Sequence, residues 1–437
     1  MVFRYTRPSY KIRVMLCCVL AASVCWFSWF LTTIKKSDHI GIYGVDLIAY
    51  YTAARMVRTA ELSTLYAQTE SGLILRAGRF YEAAREAAPA VVPTRYVYMP
   101  IFITPFLLVS HYSFPGVAMG WLLLNLCVII AVIAVQYDLT RPRAYRGWWL
   151  AVVVAINLFS FPLFYGLKLG QTSIMIYGII CLVYWLVQKK EHVTAGFLLG
   201  VVVALKFSPI LFCLHFLLRK KNQVVLWCIL TAGLLMACSV FFYGVPLHQA
   251  YMDVLSGVMG KSTGGWSNQS IDAFLLRLTG SGDVLGYSMV SASGTVFAGK
   301  CLGLLGLVIL LLLFPGTRQA EDHAFSLTVL AYLVLPHISW QHYFCLAVLP
   351  ALFLLRLFAS EKPAMPAAVF VPALTACIMV LLPPYAVAAI IARGQGIIST
   401  ACVSLPFMGA CIMIGLFIVL LIKQRKDMSA HRHRGPH

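Results

Sequence analysis

Charge is scarce in this sequence, and acid is scarcer than base. Only 11% of its 437 residues are Asp, Glu, Lys or Arg, with 15 acids against 34 basic residues. A soluble domain is roughly half apolar and about a quarter charged; here 61% is hydrophobic and the mean hydropathy is +0.85. That balance excludes a soluble globular protein. The usual marks of nucleotide chemistry are missing too. There is no P-loop, no dinucleotide fingerprint, no HExxH and no DxD pair to hold a nucleotide sugar through a metal. The 13 cysteines form no CxxC pair and lie within apolar segments, so they read as small buried hydrophobes, with no disulfide framework and no metal site.

What is present is a series of apolar runs about 20 residues long without strict alternation. In lipid such runs must be helices, because their amides find no water to bond. The reading is an all-α polytopic membrane protein, a single transmembrane domain over 1–437, with about 12 (11–13) spans. Helices are predicted near 14–34, 114–136, 148–165, 171–188, 193–206, 207–218, 223–243, 297–314, 324–337, 342–357, 365–387 and 398–422. The first run follows Arg4, Arg7, Lys11 and Arg13, exceeds a signal-peptide core and lacks a small-residue cleavage site, so it reads as a retained helix. The stretch 98–112, broken by Pro100 and Pro105, is interfacial, re-entrant or a thirteenth crossing.

The net charge of +19 would suit nucleic acid, but the basic residues sit in short clusters between apolar runs, as orientation signals do. Nucleic acid is therefore not an expected partner; the bilayer is. Twelve crossings with both termini in the cytoplasm place 20 basic residues and six acids inside, including a basic tail at 423–437. The tail's His431, His433 and His437 make only an unpersuasive metal site. Two long segments then face outward. Residues 35–97, with alternating charges, read as amphipathic helices on the membrane surface, and 244–296, rich in Gly and Ser, as a functional or disordered loop. The scheme requires a break at Lys206, with Pro209 behind it, to return Arg219-Lys220-Lys221 to the cytoplasm.

All fifteen acids fall outside the predicted helix cores, which argues against a carboxylate relay of the pump type. Asp46 lies about a dozen residues after the first helix, close to Tyr50 and Tyr51; it is a candidate general base or an ordinary helix cap. Lys206 between two apolar runs either partners an anion or snorkels to the interface. Lys168, in the polar interruption Gly166-Leu-Lys168-Leu-Gly170-Gln171-Thr172, is a further anion contact or a simple loop residue. Asn268-Gln269-Ser270, with Arg277 beyond it, offers hydrogen bonds to a sugar or head group and also fits a glycosylation sequon. His342 lies at another helix junction beside Trp340.

Taken together, these segments resemble the polyprenol-phosphate-mannose-dependent mannosyltransferases, glycosyltransferase family 87 of the GT-C superfamily. The resemblance runs from about residue 40 to 350 through Asp46 with Tyr50, Leu65-Tyr66, Tyr98-Met99-Pro100 with Pro105, Gly170-Gln171, Gly200 to Lys206 with Pro209, Asn268-Gln269-Ser270 with Arg277, and Ser339-Trp340 with His342. It departs where the family pairs two histidines, because Tyr343 follows His342. The resemblance implies a GT-C fold, an extracytoplasmic site in the cell membrane and a lipid-linked sugar donor. It further implies Asp46 as catalytic base. On that footing Lys206, Arg277, Lys168 and His342 are expected at the donor phosphate, and Tyr50, Gln171, Asn268, Gln269 and Trp340 at the sugar or acceptor. No cofactor or metal is required, since fixed cations can stabilise the leaving phosphate. The partners the resemblance implies are a polyprenyl-phosphate-linked sugar, a hexose such as mannose in the family's pattern, and a glycan or glycolipid acceptor. The competing readings are a lipid-linked glycan flippase and an envelope glycan ligase or polymerase.

Overall fold

A computed structural model describes residues 44–66, 75, 77–142, 146–282, 284–291, 293–313, 317–359, 367–384 and 397–433, with residues 21, 25 and 28. The span expected at 14–34 therefore lies, but for three positions, outside the described residues. The protein is a mostly helical, membrane-embedded chain. Its principal helices, in chain order, are α1 (Leu47–Arg58), α2 (Arg79–Ala87), α3 (Phe114–Thr140), α4 (Arg146–Phe159), α5 (Phe161–Leu169), α6 (Ser173–Gln188), α7 (His192–Leu205), α8 (Ile210–Leu218) and α9 (Asn222–Tyr243). They continue with α10 (Val245–Val258), α11 (Ile271–Leu278), α12 (Gly294–Leu313), α13 (Arg318–Val334), α14 (Val348–Phe358), α15 (Ala367–Leu381), α16 (Ile397–Val403) and α17 (Leu405–His433).

Five described helical stretches are long and apolar enough to cross a membrane: α3, α9, α12, Gln341–Phe358 and Leu405–Lys426. A sixth is the pair α4 and α5, bent by 51° at Ser160-Phe161-Pro162. Proline at the second helical position and the Ser160 hydroxyl, which accepts from Leu163 N–H at 3.4 Å, restart the helix after the bend. The helices α6, α7 and residues 369–381 are apolar but shorter. Residues 98–112 do not form a crossing helix. They hold a four-residue 3-10 helix, Pro100–Ile103, running into the four-residue turn Thr104–Leu107, together about 14 Å long.

Span α3 shows how an apolar helix chooses its inner face. Asn125, Ile129, Val132, Gln136 and Leu139 recur every three or four residues and are buried, while Met119, Leu123, Leu124 and Ile130 are exposed. Gln136 anchors a closed polar cluster. It donates to the Tyr177 hydroxyl and accepts from Asn157 Nδ2 at 2.7 Å, and Tyr177 donates to Asn157 Oδ1 at 3.2 Å. Interhelical hydrogen bonds of this kind hold spans together where lipid gives no hydrophobic preference between helices.

The break at Lys206 is present. Helix α7 ends at Leu205, Lys206 is extended, and Pro209 caps α8. Gly196 and Gly200 let α7 meet α9 backbone to backbone: a Cβ at Gly196 would lie 2.5 Å from Val224 O, and one at Gly200 2.6 Å from Cys228 O. Both numbers rise together, so α7 and α9 run parallel and α8 is the return stroke. Arg219-Lys220-Lys221 thus sits at the opposite end of the bundle from Lys206.

Two expectations are corrected. Two acids are buried inside helices after all, Asp272 in α11, bonded to Lys300 Nζ at 2.8 Å, and Asp322 in α13. Because α13 begins at Arg318, well before the predicted 324, it carries Asp322, which is 0% exposed and bonded to Arg356 Nη2 at 2.7 Å and to the Tyr184 hydroxyl at 2.6 Å. The segment 244–296 is also more ordered than its Gly and Ser content suggests, holding α10, α11 and a two-residue antiparallel ribbon, Lys261–Ser262 with Val290–Ser291. Of the helices expected on the membrane surface, α2 exposes Arg79, Glu82 and Glu86 and buries Phe80 and Ala84. The other, α1, is instead inserted among its neighbours, with nine residues buried.

The α7–α9 contact yields a stability test. Gly200→Ala must push helices apart and should cost about 1–3 kcal/mol, as overpacking does, seen as a lower melting temperature of the purified protein. Gly233→Ala, on α9 where a Cβ meets nothing within 4 Å, should leave the melting temperature unchanged or raise it.

Candidate active site

The chain just before α1 is laced to the end of α5. Gly44 N–H donates to Lys168 O and Asp46 N–H to Leu169 O, each at 3.0 Å. This approach needs a glycine at 170: its φ is +68°, and a Cβ there would fall 2.7 Å from Leu47 Cβ. The bend between α4 and α5 and the left-handed turn at Gly170 together place Asp46 beside Gln171, 125 positions away in sequence.

Asp46 is 7% exposed, and both carboxylate oxygens are engaged. Thr94 Oγ1 donates to Oδ1 at 2.6 Å, and Gln171 Nε2 donates to Oδ2 at 2.6 Å. The amide of Gln171 is oriented in turn by Tyr50, whose hydroxyl donates to Oε1 at 2.9 Å. The Tyr98 hydroxyl donates to that of Tyr50 at 2.9 Å and lies 3.4 Å from Oε1. Burial raises both phenols, so they remain protonated. Tyr98 stacks on Phe102 with centroids 4.4 Å apart, and Tyr66 donates to the Tyr98 carbonyl at 2.5 Å. Burial likewise raises the Asp46 carboxyl above the ordinary carboxylate range; the bonds from Thr94 and Gln171 and the charge of Lys206 pull it back down. The result is a desolvated carboxylate with a fixed orientation, suited to take a proton.

The cations differ in how they are held. Lys206 Nζ bonds the Tyr343 hydroxyl and lies 3.7 Å from the centroid of that ring. Lys168, half-buried in the last turn of α5, has no side-chain hydrogen bond or ion pair among the described residues. His342 is 3% exposed, its ring nitrogens unpartnered among the described residues. It packs edge-on to Tyr343, and a Cβ at Gly166 would lie 3.6 Å from its own Cβ. Asp46, Tyr50, Gln171 and Lys206 are thus gathered in one place, with Lys168 and His342 on the elements that frame it.

The remaining expected site residues are held within the fold by hydrogen bonds and packing of their own. Arg277 Nη1 donates to the carbonyls of Gly264, Gly265 and Asn268 at 3.2, 3.1 and 2.9 Å, and Nε donates to Ser404 Oγ at 3.1 Å. Asn268 donates to Ser262 Oγ and Thr263 O and accepts from Ser339 N–H at 2.8 Å. Gln269 donates to Trp266 O and Val403 O and accepts from Phe407 N–H. Asn268 and Gln269 are 0% exposed, so their hydrogen bonds staple the loop at 262–270 to residues 337–341 and 403–407. Asn268 is therefore closed to glycosylation in the folded chain. Trp340 pairs with Asn268 as a β-bridge and meets the Tyr287 ring at 6.1 Å. Sequence reading missed Thr94 and Tyr343 as members of the site. Nothing in the sequence marks a threonine 48 positions from Asp46 as its partner.

The family model of glycosyltransferase family 87 matches residues 96–340, more than half of the chain. No curated protein and no solved structure matches.

If Arg277 is a clamp, Arg277→Met removes the donors to three buried carbonyls. The melting temperature should then fall by several degrees, as the loss of buried hydrogen bonds costs about 1–3 kcal/mol for each group left unsatisfied. Lys206→Met should leave it nearly unchanged, since Lys206 ties no backbone in place.

Proposed function

The chain belongs to glycosyltransferase family 87, and from that premise we propose that it moves a sugar, a hexose such as mannose, from a polyprenyl-phosphate donor to a glycan or glycolipid acceptor. The observation that carries this reading is the buried Asp46 carboxylate, held at both oxygens within the field of Lys206. A carboxylate so placed is a general base, and a fixed ammonium near it is a seat for a leaving phosphate.

In this mechanism Asp46 takes the proton of an acceptor hydroxyl. The hydroxyl oxygen attacks the anomeric carbon from the face opposite the phosphate. The bond from that carbon to the phosphate oxygen breaks, and its electron pair leaves with the lipid phosphate. Attack from the opposite face inverts the anomeric configuration, by the geometry of inverting glycosidases. Lys206, oriented by Tyr343, meets the growing phosphate charge, with Lys168 and His342 as supporting contacts. Tyr50 and Gln171 border the sugar and fix the base. The chemistry calls for no metal, because Lys206 and Lys168 supply the positive charge.

The Asp46 end of the bundle faces the outside of the cell membrane in this reading, and both termini lie in the cytoplasm. Twelve crossings satisfy that arrangement. The placement of Arg219-Lys220-Lys221 at the end opposite Lys206 supports it, since basic clusters favour the cytoplasm.

The test is turnover by the purified protein on a panel of polyprenyl-phosphate sugars with membrane glycolipids, read by mass spectrometry. Product is expected with a monophosphate-linked hexose and inverted linkage. Asp46→Asn should lower kcat by about 10²–10⁴-fold, the usual worth of a general base, with donor binding intact. Lys206→Gln should instead raise the donor KM. Transfer only from diphosphate-linked oligosaccharides, or normal turnover by Asp46→Asn, would sink the proposal.

A further inference from the structure

Two donors hold the carboxylate of Asp46, and they are chemically unlike. The nitrogen of Gln171 can only donate, and its orientation is locked because Tyr50 donates to the amide oxygen. The hydroxyl of Thr94 can donate or accept. It is half-buried, at the margin of the cluster, on a segment pinned from two sides: Leu75 N–H donates to Pro93 O at 3.1 Å, and Tyr66 to Tyr98 O. Protonating Oδ2 would leave a locked N–H facing an oxygen that has become a weaker acceptor. Protonating Oδ1 leaves a hydroxyl beside it that can turn.

We propose that Thr94 is a positioning residue of this active site, holding Oδ1 of Asp46 and marking that oxygen as the one that receives the acceptor's proton. The proposal rests on Asp46 being the base. In the step it describes, the acceptor O–H bond breaks and an O–H bond forms on Oδ1. The Thr94 hydroxyl rotates from donor towards acceptor, and the acceptor oxygen bonds the anomeric carbon as the phosphate leaves. The segment around Thr94, between α2 and α3, is therefore part of the catalytic apparatus.

The sign of the effect follows from the forces on the carboxyl. Burial raises it and the Thr94 bond lowers it. A base works when ionised, so kcat/KM falls as pH falls through its titration midpoint. Removing the hydroxyl should move the midpoint upward by about one pH unit, the order expected for one hydrogen bond to a charged group.

The experiment uses the full-length protein in detergent and follows the carboxylic-acid carbonyl band of Asp46 by infrared titration, with Asp46→Asn identifying the band. No substrate is needed. Thr94→Val should shift the midpoint up by about one unit, while Thr94→Ser keeps the wild-type value. With polyprenyl-phosphate mannose as donor, the acid limb of kcat/KM should move in parallel and the donor KM should not change. Should Thr94→Val not yield a monodisperse protein, Thr94→Ala carries the same measurement. A midpoint equal to wild type in the hydroxyl-free variant, or activity lowered equally at every pH, overturns the role given to Thr94. Full turnover by Asp46→Asn would instead overturn the base itself, so the two failures are told apart.

Discussion

A carboxylate withdrawn from water must have its charge answered by neighbours, and the architecture around Asp46 is the answer to that demand. One oxygen faces Thr94, the other Gln171, and the amide of Gln171 is itself set by two phenols. Each supporting group comes from a different part of the chain: the start of α1, the segment before the 3-10 turn at Pro100, and the turn between α5 and α6. Holding these pieces within hydrogen-bond reach requires the bend after α4, the left-handed Gly170 and the close backbone approach it permits. Unmade, a bond to a buried charge costs more than a neutral one, so the site and the fold at this end of the bundle stabilise each other.

Charge elsewhere is handled by the same rule. At the far end of the bundle Arg356 and Tyr184 bond Asp322, and Arg219 bonds both Glu321 and the Leu311 carbonyl. These groups join helices that lipid alone would not hold in register. The Gln136 cluster does similar work without charge. By contrast, the Lys168 side chain and the ring nitrogens of His342, beside the Asp46 cluster, have no hydrogen-bond partner among the described residues.

Much of this architecture was legible in the sequence. Apolar length identified the helical, membrane-embedded class, although five described helical stretches, or six with the bent pair, are long enough to cross where about 12 spans were expected. The need to return Arg219-Lys220-Lys221 to the cytoplasm identified the break before α8. Asp46 and Lys206 were singled out by residue type and position, and Tyr50 and Gln171 through the family resemblance; the fold brings the four together. Three kinds of information were not in the pattern. Polar residues that staple a loop, Asn268, Gln269 and Arg277, look in sequence like residues that greet a sugar. Their partners are backbone carbonyls and amides, which have no signature in the chain. Thr94 was invisible for the opposite reason, as its importance comes wholly from what folds against it. The burial of Asp322 was missed because α13 starts a turn and a half earlier than hydropathy places it.

The lacing of residues 44–46 to the end of α5 uses main-chain atoms alone, with Gly170 providing the room. The address of the Asp46 carboxylate is consequently written into the polypeptide trace and not into the side chains around it, so those side chains can be exchanged without moving it.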